Sequence, residues 1–242
     1  QTGDSPGLAR DPGPVEQPEP VEAGDRLLQA AIRAADFLQR ELYDGERGVL
    51  FRAWRQSRGT TEGFAEDYAF LIQGLIDLYE ASFELRWLQW AVRLQATMDE
   101  LFWDGERGGY FNSAAGDASI LLRLKEDYDG AEPAPSSVAA MNLLRLGAVF
   151  DHGGTHFAPG TKKAGSPFAQ DTGAPSPPKE GYRERGRRCI EAFRAQWSAA
   201  PQAMPQLLCA LELALEPPRH VVLAGDPESG DFRVLKAVLH ER

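Results

Sequence analysis

Hydrolysis of a glycosidic bond needs two carboxylates, one to protonate the leaving oxygen and one to serve as base or nucleophile. The sequence offers three aspartates in suitable company: Asp67 within Glu66-Asp67-Tyr68, Asp127 within Lys125-Glu126-Asp127-Tyr128, and Asp129 two residues further on. Asp67 paired with Asp127 or Asp129 would supply the acid and the base. Glu66, Tyr68 and Lys125 flank them, and Ser136 and Asn142 follow with a hydroxyl and an amide. Trp103, Tyr110 and Phe111 border a DGERGG turn, where aromatic faces suit the rim of a sugar site. Each group also has a structural reading. Acidic residues in the first turn of a helix are favoured by its dipole alone. A charged run before a helix is commonly a solvated loop, and most aromatics are core. Trp87 and Trp90, three apart on one helix, read as packing.

Other chemistries find less support. His152 and His156 lie in a Gly/Pro-rich stretch with no helix to bring them together, and His220 and His240 stand apart, so no metal site is expected. Cys189 and Cys209 form no CxxC pair and read as buried structural thiols. No GxSxG, P-loop or GxGxxG sits between a strand and a helix, and no cofactor is expected. GDPESG at 225–230 reads as an ordinary turn, with Asp226 and Ser229 near a helix start.

Helices must position these groups. Leu27, Leu28, Ala31, Ile32, Ala35, Leu38 and Leu42 recur at helical spacing, which predicts a helix over 25–42 with Asp25 as N-cap. Similar stripes predict helices over 64–81, 84–101, 137–149, 182–198 and 203–215. DGERG occurs at 44–48 and again at 104–108, each time between a helix and an extended aromatic segment. EDY occurs at 66–68 and 126–128, so both pairs share an offset of 60 residues. That period fits a helix hairpin with long connections better than a short-repeat solenoid. Residues 1–23 read as a disordered Pro/Gly/Glu-rich leader and 151–181 as a disordered insertion. The domain reading is therefore a helix-hairpin region over 24–150, a further hairpin over 182–216, and a small α/β appendage over 217–242. In that appendage HVVLAG (220–225) is the strand and 232–240 the helix.

The 242-residue chain carries a formal net charge of −10 with a pI near 5.0, and 43% of its residues are hydrophobic. That composition is globular. The acidic balance disfavours a nucleic-acid partner and an anionic membrane surface. No apolar run reaches the roughly 18 residues of a spanning helix, so a soluble chain is expected. The N-terminus shows no signal-peptide pattern, and a start at Gln1 suggests a processed chain or a fragment.

Three segments carry a resemblance. GFAEDYAFLIQGLIDLYEASFE (63–84), FWDGERGGYF (102–111) and KEDYDGAEPAPSSVAAMNLLRL (125–146) resemble the spermatogenesis-associated protein 20 family, closely over 25–150 and more loosely over 182–242. The resemblance implies a mainly α fold built from helix hairpins of an (α/α)6 toroid, here partial, of the six-hairpin glycosidase-like kind related to sugar epimerases. It also implies a thioredoxin-like domain that this sequence lacks, so the chain looks like a C-terminal fragment or a shortened isoform. The resemblance leaves open whether the chain is secreted. In such a toroid the inner helices aim their N-termini into a central cup, where Asp67 would accept from a sugar hydroxyl and Tyr68 would stack. Two departures stand out. After DGAEP the family's Ser/Gly/Asn-containing stretch is replaced by Ala134, Pro135, Ser136 and Ser137, which puts a hydroxyl where an amide donor is usual. The stretch 151–181 has no counterpart.

Two functions follow as expectations. The preferred one is a non-enzymatic scaffold with a role in spermatogenesis, associating with a protein partner or with itself through exposed helix faces. The alternative is a sugar-binding or sugar-processing barrel. A thiol redox role has no motif to support it.

Overall fold

The computed structural model describes residues 20–117, 120–151, 178–216, 223, 225–226 and 228–240. Eight helices are present among them: α1 (Pro20–Glu41), α2 (Ala65–Ser82), α3 (Leu85–Phe102), α4 (Pro135–Phe150), α5 (Tyr182–Glu191), α6 (Arg194–Ala199), α7 (Pro205–Leu215) and α8 (Gly230–His240). Extended structure is confined to two small antiparallel ribbons, β1 (Tyr43–Asp44) with β2 (Val49–Leu50), and β3 (Trp54–Arg55) with β4 (Ser57–Arg58). The protein is mainly α, as the apolar periodicity predicts.

The helices form hairpins. α2, α4 and α7 lie side by side, α3 backs α2, and α5 backs both α4 and α7, while α1 covers part of α2. One continuous core joins them, and Trp87, Trp90, Tyr68, Tyr110 and Tyr182 are its largest fully buried side chains. On α3 the residues Trp87, Leu88, Ala91, Leu94, Met98 and Phe102 are all buried, the stripe that spacings of three and four dictate. Pro135 and Pro205 open α4 and α7 at the position where a missing N–H costs nothing. α2 ends at Phe83, which is left-handed at φ 57° and donates its amide to Tyr79 O.

Both DGERG segments fold into the same turn. Asp44 Oδ1 accepts the amides of Glu46 and Arg47, each at 3.1 Å. Asp104 Oδ1 accepts those of Glu106 and Arg107 at 2.9 and 3.0 Å. Gly48 and Gly108 follow at φ 70° and 76°. The chain then returns as a strand or bridge, Tyr43 opposite Leu50 and Trp103 opposite Tyr110. The EDY pairs do not match in this way. The first opens α2 and the second lies in the loop before α4.

Several bounds differ from expectation. Pro20–Ala23, assigned to the leader, belong to α1. The 182–198 helix breaks at Ala192–Phe193 into α5 and α6. Cys189 is buried but Cys209 is exposed, so only one thiol fits the structural reading. The rest of the leader, residues 152–177 of the insertion with His152 and His156, and most of the HVVLAG strand with His220 lie outside the described residues. The GDPESG turn forms, with Ser229 Oγ accepting the amide of Phe232 inside α8. No helix among the described residues is long and apolar enough to cross a membrane.

Candidate functional site

The N-termini of α2, α4 and α7 meet at one end of the molecule, held by the loops before them. Ala65 N, at the start of α2, donates to Asn112 O, and Asn112 N donates to Leu124 O. Asp129 ties the other two helices together. Its Oδ1 accepts the Ala134 amide at 2.8 Å before α4, and its Oδ2 accepts the Gln206 and Leu207 amides at 2.9 and 3.2 Å in α7.

Acidic groups gather on this rim around one guanidinium. Arg52, unremarked in the sequence, reaches Glu66 Oε1 at 2.6 Å and Asp67 Oδ2 at 3.2 Å, and lies 4.9 Å over the Phe64 ring. Its hydrogen bond to Glu66 holds its pKa above the ordinary value. Asp67 Oδ2 also accepts the Phe64 amide at 2.8 Å, which makes it a helix cap. Burial pushes the Asp67 carboxyl up, and the Phe64 amide and Arg52 offset only part of that. Glu126 is likewise raised, by burial first and then by the charges of Glu66, Asp129, Glu132 and Asp127. Beside the rim a cleft of about 330 Å³ opens, lined by Leu38, Leu42, Phe70 and Leu71 below and by Arg52, Glu66, Asp67 and Glu132 above.

The expected site residues fall into two sets. Glu66 and Asp67 share this rim, while Asp127 is exposed in the loop before α4. The others serve the scaffold. Tyr68 is fully buried and its hydroxyl accepts the Leu50 amide at 2.9 Å, so it is no stacking platform. Ser136 Oγ accepts the Tyr110 amide at 2.9 Å, and Asn142 Nδ2 donates to Ala69 O at 2.8 Å, fastening α4 to α2. Lys125 is spent on Asp104 at 2.7 Å and on Gly108 O at 2.6 Å. Trp103 and Tyr110 do not line a rim over a cup. They pack edge to face at 5.1 Å, and Arg185 and Arg188 of α5 lie over Trp103.

A second polar group, of which the sequence pointed only to Tyr110, centres on Asp99. Asp99 accepts from Tyr110 Oη at 2.5 Å, Gln95 Nε2 at 2.9 Å and Arg185 Nη1 at 2.7 Å. Arg185 and Arg188 both reach Glu180 Oε1, at 3.0 and 3.1 Å. Burial raises the Asp99 carboxyl although three donors oppose it, and burial lifts Tyr110 far above a free phenol. Both Asp99 oxygens are bonded inside the protein, by Tyr110 and Gln95 on Oδ1 and by Arg185 on Oδ2, so the group locks α3 to α5. No local signal could reveal a pair 86 residues apart. No group of three or more His, Cys, Asp or Glu side chains among the described residues could hold a metal ion.

Comparison with known proteins agrees with the family resemblance. The chain is 38% identical over 228 residues to spermatogenesis-associated protein 20 of Homo sapiens, and 37% identical over 228 residues to that of Rattus norvegicus. It is 33% identical over 214 residues to an uncharacterized protein of Caenorhabditis elegans. These alignments cover 89%, 89% and 84% of this chain, but 25% of each relative. The chain thus spans about a quarter of the length of the curated relatives it matches. No family model matches it. On these identities, and on the motifs that fold into the rim and its turns, the chain belongs to the spermatogenesis-associated protein 20 family.

Proposed function

We propose that this chain is a non-catalytic helical interaction module, serving sperm differentiation as the name of its mammalian relatives indicates. The observation that supports the non-catalytic reading is the use of the expected carboxylates as helix caps. Both oxygens of Asp129 are taken by helix-end amides, and Oδ2 of Asp67 is shared between the Phe64 amide and Arg52. A general acid or nucleophile must instead present an oxygen to substrate. The test is release of nitrophenol from a panel of aryl glycosides by the purified chain. Release at the buffer rate is expected. Turnover that disappears in Asp67→Asn or Asp127→Asn would overturn this reading. Loss of the gene in the male germ line should lower sperm output, and normal fertility would remove the developmental part.

A second reading, carbohydrate binding or processing by a six-hairpin glycosidase-like or epimerase-like barrel, draws on one feature. Asp67 lines a cleft of about 330 Å³ with its carboxyl raised by burial, as a general acid requires. Calorimetric titration with monosaccharides separates the two readings, since sugar heats abolished by Asp67→Asn would favour the second.

A further inference from the structure

Glycine in the middle of a helix is about 1 kcal/mol worse than alanine, so its presence asks for a reason. Two helical glycines here have one. A Cβ at Gly147 of α4 would meet Arg183 N at 2.8 Å, and one at Gly186 of α5 would meet Leu144 at 3.1 Å. Both sit where α4 and α5 cross closely. Gly74 of α2 has no such reason, because a Cβ there would meet nothing within 4 Å, and the same holds for Gly24 near the start of α1. Gly74 is exposed and lies one turn beyond Phe70 and Leu71 on the same helix face. Phe70 and Leu71 are only partly buried and line the cleft with Leu38 of α1 and Leu42 just after it. An apolar groove therefore lies between α1 and α2, and Gly74, which does not itself line it, stands one turn further along α2 with open space above its backbone.

The charge around the groove narrows the occupant. Glu66, Asp67 and Glu132 border it, with Glu126 nearby, against Arg52 and an Arg58 stacked at 4.3 Å on the Phe51 ring of the lining. The carboxylates outnumber the cations. The chain's own first 19 residues are a poor match, carrying Asp4, Asp11, Glu16 and Glu19 against Arg10. A second copy is poorly matched too, at a net charge of −10.

We infer that the groove between α1 and α2 docks a basic amphipathic helix of a partner protein. Its apolar anchors, spaced as on one helix face, enter the cleft. Its Lys or Arg side chains meet Glu66 and Glu132, and its backbone passes close over Gly74. This rests on the interaction-module reading and gives it a partner chemistry.

The test uses the full chain and two labelled helical peptides with leucine at i, i+3, i+4 and i+7, one with lysine at its other positions and one with glutamate. Fluorescence anisotropy at about 0.15 M salt should show the lysine peptide binding at least about tenfold more tightly than the glutamate peptide. Gly74→Leu extends a side chain into the open space one turn beyond the groove and should weaken the lysine peptide by about tenfold or more. Gly74→Ala, whose methyl meets open space, should raise the melting temperature and still weaken binding. Glu66→Gln with Glu132→Gln should weaken binding and flatten its salt dependence. Unchanged affinity in both Gly74 variants would overturn the inference, as would equal binding of the two peptides. A concentration-dependent dimer broken by Gly74→Leu would also overturn it, by making a second copy the occupant. None of these results touches glycoside turnover, so the non-catalytic reading stands or falls separately.

Discussion

At the scale of single residues, the aspartates are spent on backbone amides. Asp129 bonds three amides at the starts of two helices while only 7% exposed. A single cap is worth about 1 kcal/mol, so Asp129→Ala should cost about 2 kcal/mol or more. Urea unfolding measures this, and a loss under about 0.5 kcal/mol would refute the double cap. Asp104 gives a prediction with a sign in pH. Burial pushes its carboxyl up, but Lys125 and the Arg107 and Glu106 amides outweigh burial, so it lies below the ordinary value. In the unfolded chain Asp104 takes up a proton first as the pH falls. Its stabilising effect is therefore full above the unfolded value of 3.8 and is lost as the pH drops through the lower folded value. The stability gap between the parent and Asp104→Asn should shrink between about pH 5 and pH 2. A gap constant across that range would show that the Lys125 pair contributes nothing. Asp104 sits in a string that reads as a turn, and Asp129 in one that reads as a solvated charged loop. The amides they serve come from the turn that follows Asp104 and, for Asp129, partly from 77 residues away, which is why only Asp104 was locally readable.

At the scale of elements, the helices were legible because their apolar spacing survives folding. The apolar stripe of α3 is buried, and α2 and α4 lie within two residues of their expected bounds. The DGERG repeat was legible for the same reason, since its bonds run from Asp44 or Asp104 to amides two and three residues on. The EDY repeat misled because equal letters stand in a helix at 66–68 and in a loop at 126–128. Tyr68, Ser136, Asn142 and Tyr110 read as site residues because hydroxyls and amides look alike whether they face solvent or a buried backbone. The two turns also differ in what surrounds them. A Cβ at Gly48 would meet Thr97 Oγ1 at an ordinary 3.4 Å, whereas one at Gly108 would meet Arg188 O of α5 at 2.6 Å. Both positions have positive φ, so alanine costs about 1–2 kcal/mol at either. Gly108→Ala must also push α5 away and should cost about 3 kcal/mol or more. Equal losses in denaturant titrations of the two variants would mean that the turn does not press on α5.

At the scale of the whole molecule, α5 is held to the rest by contacts that bypass residues 152–177. Asp151 at the end of α4 accepts the Arg183 amide at 2.5 Å, and Gly181 is packed against the same carboxylate. Asp99 holds Arg185, Cys189 Sγ donates to Ser136 O at 3.3 Å, and Arg183 Nη2 reaches Ala214 O at 3.2 Å. The chain ends flanking 152–177 are thus fixed by the helices they join. Loop-closure entropy changes only slowly with length, by about 0.6 kcal/mol per doubling. Replacing 152–177 with a Gly/Ser linker of about six residues should therefore leave one cooperative unfolding transition, with a small gain in stability from the shorter loop. Near-UV circular dichroism, which reads the packing of Trp87, Trp90 and Trp103, should be superimposable on that of the parent. A broadened transition with lost near-UV signal would mean that the replaced residues complete the core. A sharp one would place the fold's determinants in the helix hairpins and in the Asp99 and Asp129 networks that join them.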